Sequence, residues 1–260
     1  MEALTPILLA TALGGVASAL LAGILLLLLP QALRDRVLPH TVSFATGALL
    51  ATAFVALVPH AVEGAGAGRV HTIGLALLGG IALFFVLEKF LLWRHCHTEA
   101  VESAHAHEHH RREASGWLVL AGDGLHNFID GVLIAAAFLT DFHLGVVTTL
   151  AILAHEIPQE VGNVAVLLHA GFRRRRALAL NVLSSLTAVL GGLVGWYALR
   201  ESLAVLPYVL AVAAASLMYV AVADLIPGLH RHTDLRAGVA QVAWIAVGVG
   251  VVMLAESQLH

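Results

Sequence analysis

One cysteine in 260 residues, Cys96, excludes an intramolecular disulfide and any structural zinc site built from cysteine thiolates. Charge is scarce too: Asp, Glu, Lys and Arg make up 12% of the chain, against 59% hydrophobic residues. So few charges cannot furnish a water-facing surface for a chain of this length, which excludes an ordinary soluble protein. The net charge of −3 and the lack of a basic recognition surface give no basis for binding nucleic acid. Apolar segments recur so regularly that no stretch is left to form a separate soluble domain. Residues 1–260 therefore read as a single membrane domain.

What the chain does have is long apolar runs. A helix must run for about 20 mostly apolar residues to cross a hydrocarbon core about 30 Å thick, at about 1.5 Å per residue. Eight segments meet this requirement: 4–30, 39–62, 70–94, 115–139, 143–171, 176–199, 204–228 and 236–257. Each is expected to be helical, because an open strand in lipid leaves its backbone groups without partners. The predicted fold class is an all-α integral membrane protein with eight transmembrane helices. The first segment is long, lacks a basic start, and ends in "LLLLLPQALRDR" rather than in small residues, so it is expected to be a retained helix rather than a cleaved signal peptide.

An extracytoplasmic N-terminus puts Arg34, Arg36, Arg94, Arg111, Arg112, Arg173 to Arg176, Arg231 and Arg236 in the cytoplasm, with Lys89 close to that side. Only Arg69 and Arg200 then fall outside. The positive-inside rule accordingly predicts a multi-pass protein of the cell (inner) membrane with both termini extracytoplasmic. A seven-helix reading would scramble this partition.

The longest polar connection, "RHCHTEAVESAHAHEHHRREASG" at 94–116, carries six of the 16 histidines: His95, His97, His105, His107, His109 and His110. It has too little apolar content to fold alone, so 95–114 is expected to be a cytoplasmic His-rich loop. Its imidazoles suit zinc and neighbouring metals as a weak secondary site. Small-residue faces formed by Gly14, Gly15, Ser18, Ala22 and Gly23, and by Gly191, Gly192 and Gly195, predict close helix packing.

Ionisable groups inside a bilayer are costly and should line a cavity, pair, or bind an ion. The fourth segment carries "GDGLHNFIDG", in which Asp123, His126, Asn127 and Asp130 share an arc of roughly 100°. The fifth carries "AHEIPQEVGN", where His155, Glu156, Gln159, Glu160 and Asn163 spread over roughly 140°. His126 with Asp130, and His155 with Gln159, are i,i+4 pairs, which place two ligands on successive turns of one face. Facing each other, the pairs offer four N/O donors to one divalent cation. Asn127, Glu156 and Glu160 lie beside them as candidates for an adjacent second site. Imidazole and carboxylate without thiolate suit Zn²⁺, Fe²⁺, Mn²⁺ or Cd²⁺ better than Cu⁺. Pro158 cannot donate to the carbonyl of Ala154, so a kink is expected beside these ligands. Asp224 and Pro227 repeat the combination of acid and proline in the seventh segment. Asn181, Ser184 and Ser185 share a face of the sixth and are expected to bond neighbouring helices.

"HNFIDG" at 126–131 followed by "HEIPQEVGN" at 155–163 resembles the paired motifs of the ZIP (Zrt/Irt-like) metal transporters, in the branch whose fifth helix reads HExPHExGD. The resemblance extends to "GALLATAFVALVPHA" at 47–61, "FRRRRALALNVLSSLTAVLGG" at 172–192 and "MYVAVADLIP" at 218–227. It implies uptake of divalent metal into the cytoplasm, a homodimer, and an inverted 3+2+3 arrangement in which helices one to three mirror six to eight. It also implies a metal-carrying bundle of helices one, four, five and six sliding against the others. Carried over by motif, His126, Asp130, His155 and Gln159 form the primary site, with Asn127, Glu156 and Glu160 at a second. The metal is cargo, most naturally Zn²⁺, and no catalytic cofactor is implied. Four positions depart from the branch: Gln159 replaces a histidine, Asn163 replaces an aspartate, and Thr52 and Ala56 stand where aspartate and histidine are common.

Two other functions fit parts of the pattern. "HEIPQ" is similar to the HExxH of zinc hydrolases, but its second histidine is Gln159 and Pro158 interrupts the helix. A membrane-anchored metal sensor would use the His-rich loop and leave the buried charges without a purpose. Deleting 95–110 separates the readings: a transporter keeps substantial metal flux in a vesicle uptake assay, whereas a sensor loses its function.

Overall fold

The computed structural model describes residues 3–99, 108–230 and 234–257. Its elements in chain order are α1 (Leu4–Leu28), α2 (Gln31–Ala65), α3 (Val70–Glu99), α4 (Glu108–Thr140), α5 (Phe142–His169), α6 (Arg174–Leu199), α7 (Leu203–Leu229) and α8 (Leu235–Ser257). The described residues contain no strand. Among the described residues, seven helices are long and apolar enough to cross a membrane: α1, α2, α3 through Lys89, α4 from Gly116, α6, α7 and α8. Together they make this a multi-pass helical membrane protein.

The eighth expected span, α5, has the length, at 28 residues, but not the apolarity. His155, Glu156, Gln159, Glu160 and Asn163 are the residues that make it too polar. Its neighbours supply what its composition lacks, since α5 packs against α1, α2, α4, α6 and α8. His155, Glu156 and Glu160 are completely buried as a result. By contrast α3 and α8 are peripheral and present Leu75, Leu78, Phe85, Val242, Met253 and Leu254 to the outside. An apolar exterior around a polar interior is the arrangement expected where lipid is the solvent.

The His-rich segment is more helical than its composition suggests. The backbone of α3 continues through His95 and His97 to Glu99, and α4 begins at Glu108, so that His109 and His110 lie in its first turn. His105 and His107 lie outside the described residues.

Local signals account for the chain reversals. Extended Leu29 and Pro30 end α1, and Gly66 and Gly171 take positive φ after α2 and α5. Between α4 and α5 the whole connection is Asp141. Its side chain caps α5 by accepting from the backbone N–H of His143 at 2.8 Å and Leu144 at 3.0 Å. Partial burial pushes the Asp141 carboxyl up, but those two N–H donors outweigh it and hold the group below the usual carboxylate range.

Three helices widen into single π turns: Ala12–Ala17 in α1, Thr52–Leu57 in α2 and Val220–Leu225 in α7. In α2 and α7 the π turn ends two residues before a proline, Pro59 and Pro227 respectively. A wider turn there relieves the clash of the proline ring with the preceding carbonyl. α5 continues through Pro158 without interruption of its helix.

The closest packing is backbone on backbone. A Cβ added at Gly131 of α4 would overlap the Ala188 carbonyl of α6, and one at Gly191 would overlap the Phe128 carbonyl of α4. Gly47 and Gly248 make the same reciprocal contact between α2 and α8. The predicted small faces are used as expected: Gly15 meets Ser185 and Ala188, and Gly23 meets Leu178. Gly191→Ala should therefore lower stability by about 1–3 kcal/mol through overpacking. Thermal unfolding in detergent checks this, with Gly79→Ala as the control because that position faces open space. Equal melting temperatures for the two variants would contradict the backbone contact.

Candidate metal centre

A one-residue reversal at Asp141 fixes the register of α4 against α5. His126 lies 15 residues before it and His155 lies 14 after, so both rings sit about 21–23 Å along their helices from the turn. Antiparallel packing then brings the two motifs together at one depth. His126 Nε2 and His155 Nε2 are 3.3 Å apart, with their rings edge-on at 85°. Asp130 Oδ2 lies 3.3 Å from His155 Nε2 and 3.7 Å from His126 Nε2. Glu156 Oε1 lies 3.6 Å from His126 Nε2 and 3.7 Å from His155 Nε2. All four ligand atoms fall within 4.8 Å of one another.

These spacings have a chemical meaning. Ligands about 2.0–2.1 Å from a tetrahedral Zn²⁺ lie roughly 3.3–3.4 Å from each other. Five of the six donor–donor distances run from 3.3 to 3.7 Å and the sixth, between Asp130 and Glu156, lies within 4.8 Å, so a small divalent ion fits after modest adjustment. Protonation favours the same outcome. His155 Nδ1 is 3.2 Å from the Ala151 carbonyl, which only accepts, so Nδ1 carries a proton and, in the neutral ring that ligates a metal, the Nε2 lone pair faces the cluster. Neither oxygen of Asp130 and neither oxygen of Glu156 has a hydrogen-bond partner. Two buried carboxylates and an imidazole lone pair converging without donors form an unfavourable arrangement that a cation relieves.

Three of the four residues expected at the primary site, His126, Asp130 and His155, converge in the structure. Glu156, expected at the adjacent site, joins His126, Asp130 and His155, whereas Gln159 lies alongside Asp123 and lines a neighbouring cavity. On α5, Gln159 is displaced from His155 by about 6 Å along the axis. Glu156 sits level with both histidines. Its i,i+1 spacing from His155 hid this, since only pairing across to α4 brings the two together.

Beside the cluster lies a second polar layer. Asp123 accepts from Asn163 Nδ2 at 2.7 Å, Ser184 Oγ at 2.5 Å and Asn127 Nδ2 at 3.3 Å. Glu160 accepts from Ser185 Oγ at 2.6 Å, with Asn181 adjacent. Ser184 and Ser185 thus bond α6 to its neighbours, as expected. Asn127 Oδ1 and Glu160 Oε2 remain buried without partners. No α2 side chain joins the four-donor cluster among the described residues: Thr52 and Ala56 lie in the π turn, and His60 Nδ1 is 2.9 Å from the Ala56 carbonyl.

The cluster meets open space through His126, which is 21% exposed while its three partners are buried. His126, Asp123, Gln159 and Asn163 line a cavity of about 460 Å³ that also takes Glu88 of α3 and Tyr219 and Asp224 of α7. The Tyr219 hydroxyl donates to Glu88. Asp224 and Pro227 drew attention in the sequence. Glu88, near the end of its span, did not, although an acid within an apolar run is itself the signal.

Comparison with known proteins reaches the same region. A profile of the ZIP zinc transporter family matches residues 4–114 and 93–256. Zinc transporter ZIP13 of Pongo abelii is 32% identical over 236 residues, covering 84% of this chain and 66% of its own length. Zinc transporter ZIP4 of Homo sapiens is 41% identical over 120 residues, 46% of this chain and 18% of its own length. Zinc transporter ZIP10 of Danio rerio is 35% identical over 145 residues, 53% of this chain and 17% of its own length. The chain spans less than two thirds of each of these relatives. With the profile running nearly end to end and both motif helices inside it, the chain belongs to the ZIP zinc transporter family.

Proposed function

We propose that the protein carries divalent metal ions, Zn²⁺ foremost, across the cell membrane into the cytoplasm through the centre between α4 and α5. The observation that carries this is the buried cluster of His126, Asp130, His155 and Glu156, whose carboxylates have no hydrogen-bond donors and which opens to a cavity through His126. A resident structural ion would need no such opening. The relatives' printed names describe zinc transport, which agrees with cargo rather than with a hydrolytic metal.

The reading extends to topology. α5 is the eighth span, shielded by its neighbours rather than by its own apolarity, and both termini are extracytoplasmic. Glu88, Leu225 and Gly228 then lie toward the cytoplasmic ends of α3 and α7, so the cavity they line is the inner half of the route. Asn127, Glu160 and Gln159 border the cluster as a second ion position. The His-rich segment at 95–114 receives or senses the released ion. The homodimer and the inverted arrangement implied by the resemblance belong to the same proposal, as does alternating access by a sliding bundle of α1, α4, α5 and α6. The buried hydrogen bonds that tie α4, α5 and α6 to one another support a unit that moves as one.

Uptake into proteoliposomes containing purified protein tests the reading, with Zn²⁺, Fe²⁺, Mn²⁺ and Cd²⁺ compared for wild type, His155→Ala and Asp130→Ala. Both variants should lose at least about tenfold in saturable flux, since even the partners of metal ligands are worth 10–100-fold. Normal saturable flux in Asp130→Ala would sink the site. The absence of flux for every metal in correctly inserted wild-type protein would sink the transport reading.

A further inference from the structure

Resting on that metal reading, we propose that Asp123 is a positioning residue: an outer carboxylate that orients the side-chain amides around the centre instead of binding the ion. Asp123 is buried at 5% exposure, one turn ahead of His126 and Asn127 on α4. Its two oxygens are used in the opposite way to those of Asp130. Oδ1 accepts from Asn163 of α5 and from Asn127, and Oδ2 accepts from Ser184 of α6. The oxygens of Asp130 and Glu156 accept from nothing. A carboxylate engaged by three donors has little capacity left for a cation, whereas the bare pair has all of it.

The consequence falls on Asn127. Its Nδ2 lies 3.3 Å from both Asp123 Oδ1 and the Asp123 backbone carbonyl. With a carbonyl and a carboxylate on that side, the amide must turn its NH₂ toward Asp123 and its oxygen away. That oxygen is buried without a partner, in the space beside Gly15, where an added Cβ would come within 3.3 Å of it. Asp123 thus converts Asn127, next to the ligand His126, into an oriented bare oxygen donor.

The same logic explains a departure in the motif. The branch pattern has an aspartate at 163, which here would face Asp123 as a second carboxylate. Asn163 instead donates at 2.7 Å. Asp123 and Asn163 form a coupled carboxylate–amide pair across α4 and α5, and Ser184 ties α6 to the same point.

The test uses the full-length purified protein in detergent. Zn²⁺ is titrated calorimetrically, and Co²⁺ absorption reports the coordination geometry, which a merely structural residue would not change. Asp123→Asn should raise the Kd for Zn²⁺ by about 10–100-fold, the range for partners that orient metal ligands, and should shift the Co²⁺ bands. The double variant Asp123→Asn with Asn163→Asp keeps one carboxylate and one amide with the hydrogen bond reversed, and should recover affinity to within about threefold of wild type. If Asp123→Asn elutes as aggregate, Ser184→Ala, which removes the Oδ2 contact together with a bond to the Asn181 carbonyl of the same helix, should weaken Zn²⁺ binding in the same direction while eluting as wild type does. A wild-type Kd and Co²⁺ spectrum in the folded single variant, or a double variant no better than the single, would overturn the inference. Wild-type protein that binds no Zn²⁺, or whose binding survives Asp130→Ala, would instead overturn the metal centre itself.

Discussion

Asp130 and Glu156 are two carboxylates held inside a membrane domain with no donor on any of their four oxygens. Desolvating one such group costs several kcal/mol even after relaxation, and a second beside it adds repulsion. Much of the surrounding structure can be understood from that constraint. Asp141 makes the tightest connection between α4 and α5, so the two acids and two imidazoles share one depth. The other two acids, Asp123 and Glu160, are supplied with hydroxyls by Ser184 and Ser185. Gly131 and Gly191 let α4 and α6 touch through their backbones, which brings Ser184 to Asp123. Thr187 Oγ1, donating to the Gly124 carbonyl at 2.6 Å, closes the same seam. Asp123 is satisfied on both oxygens and Glu160 on one, while Asp130 and Glu156 are bare and sit with the imidazoles.

Polarity of this kind changes how a helix can live in a membrane. α5 could not face lipid along the stretch from His155 to Asn163 without exposing its charges. Five helices pack against it, and the least buried helices, α3 and α8, lie outermost. α2 and α7, each carrying a proline, keep their continuity by widening into a π turn two residues earlier. In α7 that turn contains Asp224, at the wall of the cavity next to His126. A wide turn shifts the helical register by one residue and so re-aims the side chains that follow it.

Much of this was legible in the sequence because it depends on local spacing. The helices follow from apolar run length, and the shared faces of 123–130 and 155–163 follow from a period of 3.6. Small-residue contacts in α1 and α6 follow from Gly and Ser at helical intervals. What could not be read depends on how two helices meet. Glu156 enters the four-donor cluster because an antiparallel hairpin with one linking residue aligns it with His126. Intrahelical spacing alone favoured the i,i+4 partner. Gly131, Gly47 and Gly248 likewise look unremarkable until their opposing carbonyls are in place. The helical backbone at His95, His97, His109 and His110 shows that a polar, histidine-rich composition describes solvation better than it describes conformation.

Charge gives the centre a preference that donor type alone does not. Around a bound cation Asp130 and Glu156 in their ionised form supply two negative charges, and the imidazoles, which ligate a metal as neutral rings, add none. A divalent cation balances that pair, whereas a monovalent one leaves a buried negative charge of the kind that low dielectric penalises most. Replacing a histidine of the branch pattern by Gln159 and an aspartate by Asn163 alters the surroundings without touching this balance. Both substitutions place neutral amides beside Asp123, whose own charge is met by hydrogen bonds rather than by an ion. An ion entering the cluster would thus meet two unsatisfied carboxylates and a neighbour already satisfied. That separates the group that binds from the group that orients, and it confines the bare carboxylates to one small cluster that opens through His126.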